Sequence, residues 1–201
     1  MAMRPTQSEP LSLEEASVNK DLAKVISWIE HFLSNPHADL GREGDVCPFA
    51  RTAMLKQSIE FYLNHSESVQ DLSRDIEMHM EQFHRNDADH DIYRCRIIIP
   101  THLEEAASAV EYVQKRLKPA FVERRLMVGQ FYRGCEEPGL WNRHFRPLQS
   151  PVPLIAIRHM VPTDIAFLYN NERYTRTYLE EFGRRGHIAL QQFEAAMETS
   201  K

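Results

Sequence analysis

RCRIIIPTHLEEAASAVEYVQKRLKPAFVERRLMVGQFY, residues 94–132, decides the fold class. Residues 94–99 read as a buried strand, and Pro100 ends it because proline cannot donate to a ladder. Thr101-His-Leu-Glu104 has the spacing of a helix capping box. Leu103, Ala106, Ala107, Val110, Val113 and Leu117 then fall on one helical stripe. Residues 125–132 read as the next strand. Strand, helix and strand in succession predict a partly parallel sheet with right-handed crossovers and helices packed on it.

The same alternation extends in both directions. Upstream, residues 58–63 read as a strand and residues 68–83 as a helix. Ser12-Leu-Glu-Glu15 is a first capping box, and Leu22, Val25, Ile26, Ile29 and Leu33 recur at helical spacing behind it. That pattern predicts one helix stopping at Asn35-Pro36, since proline disfavours a helical residue before it. Residues 36–48, PHADLGREGDVCP, read as a loop, and residues 86–91, NDADHD, as a polar turn. Downstream, residues 152–157 form a fourth predicted strand, with helices near 164–169, 173–182 and 187–197. The order α-βαβαββ-ααα describes an α/β domain, α+β being the alternative. Its mixed four-stranded sheet ends in an antiparallel pair. The expected domain covers residues 12–201, behind a disordered lead-in of residues 1–11.

Composition narrows the function classes. The chain has 201 residues, enough for one domain with a real core. A formal net charge of −5 argues against a nucleic-acid or anionic-membrane binder. No apolar run approaches the roughly 20 residues of a membrane span, and MAMRPTQSEP lacks the apolar core of a signal peptide. Three cysteines, without disulfide-framework spacing, suit a reducing cytoplasm.

The chemistry concentrates in residues 138–168, PGLWNRHFRPLQSPVPLIAIRHMVPTDIAFL. Trp141, Arg143, His144, Arg146, Arg158 and His159 surround the fourth predicted strand. Cationic and imidazole groups beside an apolar strand cost desolvation free energy unless something pairs with them. An anionic ligand, or a metal wanting an imidazole, would be such a partner. His159 is the candidate iron ligand, a core histidine satisfied by backbone groups being the bland alternative. The loop 133–151 is too long for an ordinary hairpin and reads as an ordered wall over a pocket. Cys47-Pro48-Phe49-Ala50 forms a second constellation, with Arg42 and His37 close in sequence. A cysteine that opens a helix can act as a nucleophile or metal ligand. His84, Asp87, Asp89, His90 and Asp91 read as a solvated turn. No Gly-rich phosphate loop, GxSxG, HExxH or zinc-type cysteine pair occurs.

GREGDVCPFA (41–50), LKPAFVERRLMVGQFY (117–132) and the 138–168 stretch resemble an uncharacterised family of small bacterial and fungal proteins. More distantly, the chain is similar to the haem-dependent N-hydroxylases of guanitoxin and D-cycloserine biosynthesis. The counterparts of their motifs are Cys47 to Ala50 and Leu154 to Arg158. That similarity implies a haem b enzyme oxygenating a small amine or amino acid. His159 would be the axial ligand, with Cys47 as second choice. Arg143, Arg146, Arg158, Arg42 and His144 would hold propionates or a substrate carboxylate, and Trp141 would wall the pocket. Cys47 and Arg158 are the catalytic candidates. The partners implied are a small-molecule substrate and an electron donor, with a homodimer compatible. Two other readings stand beside it: a thiol-dependent enzyme using Cys47, and a non-catalytic ligand-binding module.

Overall fold

The computed structural model describes residues 9–85 and 91–199. Four strands, β1 (Ile59–Asn64), β2 (Cys95–Pro100), β3 (Leu126–Phe131) and β4 (Leu154–His159), form one sheet in the order β1-β2-β4-β3. β1 and β2 are parallel, and β4 is antiparallel to both β2 and β3. β1, β2 and β3 therefore run the same way, with β4 inserted in reverse between the last two. The mixed four-stranded sheet and the α/β class read from the sequence are both present.

Two crossover helices, α4 (Val69–Arg85) and α5 (Ala106–Glu123), cover one face. Their stripes, including Leu72, Ile76, Phe83, Val110, Val113 and Phe121, pack on Tyr62, Ile98, Val128, Ile155 and Ile157. The opposite face lies under α1 (Leu13–Ser17), α2 (Lys20–Trp28) and α3 (Ala50–Leu55). There Leu22, Val25 and Ala53 meet Phe61, Ile97, Ile99 and Leu154. Adjacent residues of one strand thus enter different clusters, as the pleat requires. Burial of a side chain such as Phe61 or Ile98 contributes about 1.5–3 kcal/mol. A 3-10 segment, Pro162–Phe167, and α6 (Glu172–Thr199) close a third cluster around Val122, Met160 and Tyr178.

Several local readings need correction. The single helix expected before Pro36 is broken, because the Asn19 side chain accepts from the Asp21 and Leu22 N–H groups and caps α2. Asparagine favours that role over a helix interior. A π-helical turn, Ile29–Leu33, follows α2. The Thr101–Glu104 capping box does not form: α5 starts at Ala106, and Thr101 Oγ1 donates instead to the Asn64 carbonyl at 2.9 Å, tying β1 to β2. β4 begins two residues late because Pro151 and Pro153 cannot donate to a ladder. Arg158 and His159 consequently lie inside the strand. The last two expected helices are one element, interrupted at Gly183. Leu11, placed in the lead-in, exchanges backbone hydrogen bonds with Phe61 on the β1 edge. The lead-in up to residue 8 and the polar turn over 86–90 lie outside the described residues. Among the described residues, no helix is long and apolar enough to cross a membrane.

Candidate functional site

Because β4 runs against its neighbours, its carboxyl end lies at the amino ends of β1, β2 and β3. Arg158 and His159 are therefore at the opposite end of the sheet from the usual ligand crevice of open α/β folds. The pleat also sends them to opposite faces. Arg158 shares the α1–α3 face with its cross-strand neighbour Cys95, whereas His159 lies on the α4–α5 face beside Phe83, ring centroids 4.8 Å apart.

Arg158 is held rigidly. Its Nη1 donates to Asp164 Oδ2 at 2.7 Å and to the His159 carbonyl at 2.9 Å, and its Nη2 donates to Asp164 Oδ1 at 2.6 Å. Asp164 is 1% exposed and also accepts from the Val161 N–H at 2.8 Å. Burial alone would weaken the guanidinium's hold on its proton, but the Asp164 carboxylate outweighs it and moves the pKa further up. The Phe49 ring lies 5.5 Å from the guanidinium carbon. Two residues before Phe49 is Cys47, whose N–H donates to the Leu33 carbonyl at 2.8 Å. Both Cys47 and Cys95 lie within electrostatic reach of Arg158 and of each other, and both are partly exposed. Burial pushes the Cys95 thiol up to about 12.

The structure thus brings Cys47 and Arg158 together. One detail of the expectation changes. Cys47 does not open α3, whose N-cap is Phe49 and which spans six residues. The positive charge at this end of the sheet comes from Arg158, whose guanidinium lies against Phe49, not from a helix dipole.

The residues nominated for a haem do not assemble. His159 is 6% exposed and packed against Phe83 in the core between sheet and helix, with no face of its ring open to a porphyrin. Arg42 spends its guanidinium on the carbonyls of Glu43, Asp45 and Val46, and Arg146 on those of Arg143 and Phe145. These two arginines brace turns. Arg143 and His144 are exposed on the long loop. Among the described residues, no three His, Cys, Asp or Glu side chains converge as a metal-binding group. These positions do not fit a haem.

The loop 133–151 is a wall, but it closes on protein. Phe145 is buried against His37 and Phe32, at 4.7 and 6.1 Å between ring centroids. Asn142 Nδ2 donates to the Asp39 carbonyl at 2.9 Å. Trp141 sits on Gly41, where φ is 77° and an added Cβ would come within 2.9 Å of the Trp141 Cβ. Gly41→Ala is therefore expected to cost about 2 kcal/mol, from left-handed strain plus displacement of Trp141. Urea unfolding followed by tryptophan fluorescence checks this value.

A second polar cluster escaped the sequence reading. On the α4–α5 face, buried Arg96 donates from Nε to Glu60 Oε2 at 2.6 Å and from Nη1 to Gln82 Oε1 at 3.3 Å. Arg94 Nη2 reaches Glu60 Oε1 at 3.0 Å. Burial would raise the Glu60 carboxyl, but the two arginines hold it below the usual range. His79, 0% exposed, faces Arg96 through Nδ1 at 3.3 Å. Burial, reinforced by Arg96, pushes the imidazole down to about 4, so it is neutral near pH 7. With Nδ1 turned to a donor, its proton sits on Nε2. The available signals were Glu60 and Arg96, each alternating with apolar residues in strands that register them side by side.

The family described as "Domain of unknown function (DUF6875)" matches residues 22–193. The chain belongs to the DUF6875 family. No curated protein and no solved structure matches the chain. The DUF6875 region runs from α2 into α6 and contains both polar clusters.

Proposed function

We propose that this DUF6875 protein is a thiol-dependent enzyme of a reducing, cytoplasmic compartment. Cys47 is the nucleophile toward a small electrophilic substrate, and Arg158 is the fixed cation beside its sulfur. The observation that carries this reading is the meeting of Cys47 and Arg158, from distant parts of the chain, at one end of the sheet. A fixed cation at this end of the sheet stabilises the negative charge that develops on a substrate as a sulfur attacks it. Asp164 fixes the guanidinium in two directions, so the charge is in place before any substrate arrives. Phe49 gives the site an apolar wall. Neither other cysteine competes: the Cys95 thiol is pushed up by burial, and Cys135 is 0% exposed.

Iodoacetamide labelling near neutral pH with peptide mass mapping tests the assignment. Cys47 is expected to react at least tenfold ahead of Cys95 and Cys135. The paired variant R158Q/D164N, which removes both charges and keeps hydrogen-bonding groups, should slow Cys47 several-fold while circular dichroism stays native. Cys47 reacting at the same rate in both proteins would overturn the reading. An absorbance spectrum separates the haem expectation. Protein from cells fed a haem precursor should be colourless, and a Soret band at near-unit stoichiometry would displace the thiol reading.

A further inference from the structure

We infer that Cys47 and Cys95 form a reversible disulfide, which makes this site a peroxide-sensitive thiol switch. The inference rests on Cys47 being the reactive thiol of the preceding reading. Its geometry comes from two unconnected segments. Cys95 is the first residue of β2 and stands directly across from Arg158, on the face turned toward α3. Cys47 reaches the same place from the segment before α3, with Phe49 laid against the Arg158 guanidinium. Both cysteines pack on one apolar cluster. The Cys47 segment is pinned by the N–H groups of Val46 and Cys47, which donate to the carbonyls of Asn35 and Leu33 at 2.9 and 2.8 Å.

The two thiols are unequal, and the inequality fixes the order of events. Cys95 is packed at the amino end of the interior strand β2, with burial raising its thiol pKa, and its Sγ donates to the Arg96 carbonyl at 3.7 Å. Cys47 lies outside the sheet, on the segment before α3, and is partly exposed. A hydroperoxide is the oxidant. The Cys47 sulfur attacks the distal peroxide oxygen, the O–O bond breaks, and the alkoxide or hydroxide leaves with the electron pair and takes up the thiol's proton. Cys47 becomes a sulfenic acid. The Cys95 sulfur then displaces the hydroxyl from Cys47. An S–S bond forms, and the Cys95 proton leaves with that hydroxyl as water. Each cysteine is oxidised by one electron overall, and the peroxide takes both. A dithiol reductant reverses the linkage by exchange.

Cys135 supplies an internal control. It follows β3 at the far end of the sheet, beyond a six-residue strand about 17–20 Å long, and is fully buried. It cannot reach Cys47 or Cys95 while the sheet is intact. The disulfide would remove the nucleophile and lock the segment before α3 onto β2.

The test uses the reduced full-length protein, one equivalent of hydrogen peroxide, maleimide blocking and non-reducing peptide mapping after chymotrypsin digestion. A Cys47–Cys95 linked peptide is expected, with Cys135 maleimide-labelled, and dithiothreitol should restore both thiols. In C95S the same treatment should leave a Cys47 sulfenic acid that dimedone traps, whereas C135S should crosslink like the parent. Cys47 advancing to sulfinic acid with Cys95 still free would overturn the inference, as would a linkage through Cys135. Selective alkylation of Cys47 without crosslinking sinks only the switch. A crosslink with unselective alkylation sinks the enzyme reading and leaves the disulfide standing.

Discussion

Asp164→Ala is expected to lower the unfolding free energy by about 3–5 kcal/mol, the range for removing one partner of a buried ion pair. Asp164 is 1% exposed and serves three donors: both Nη atoms of Arg158 and the Val161 N–H. Truncation leaves a guanidinium inside the protein with one carbonyl for company and leaves the Val161 amide unsatisfied. The Arg158 side chain keeps 25% exposure, which lets some water in and favours the lower half of that range. Urea denaturation of Asp164→Ala, with the slope compared to the parent, measures the loss. The double variant R158M/D164A should recover a large part of it, because no unpaired charge is left behind. If Asp164→Ala costs under 1 kcal/mol, Arg158 has another anchor and the preorganisation assigned to it fails.

The sequence pattern carried the architecture well and the pairing poorly. Apolar runs and helical stripes located all four strands and both crossover helices to within a few residues. Nothing local indicated that β4 would insert between β2 and β3, since that choice depends on which edges are free once the crossovers have formed. The end of the sheet that holds Arg158 follows from this insertion. That Arg158 and His159 face opposite ways was legible from strand alternation alone, and a two-residue shift of the strand does not change the parity. Cys47 and Arg158 were recognisable as residue types suited to chemistry. Their meeting was not recognisable, because it depends on the backbone bonds that hold residues 46 and 47 to Asn35 and Leu33. Arg42 and Arg146 looked like anion hooks because a sequence cannot show a guanidinium folding back onto its own loop carbonyls.

The Arg96 cluster makes the second large effect a dependence on pH. His79 titrates at about 4 in the folded protein, against an ordinary value of 6.5, because it is buried and faces the Arg96 guanidinium. The carboxylates of Asp75 and Glu60 pull the other way and are outweighed. Between those two values the unfolded chain binds a proton that the folded chain refuses. Stability therefore rises with pH across this window and is full above 6.5. Acidification from 6.5 to 4 should remove about 3 kcal/mol through His79 alone. Glu60 acts lower: its folded pKa lies below 4.5, so its contribution is present above 4.5 and is lost only as the pH falls further. The two groups are separable by substitution. His79→Gln keeps an acceptor for Arg96 but cannot titrate, so its stability should change little between pH 6.5 and 5, where the parent is already declining. Urea midpoints at half-unit pH intervals for both proteins decide the matter. Parallel curves would mean that His79 carries no proton-linked strain and that the fold accommodates an imidazolium beside Arg96.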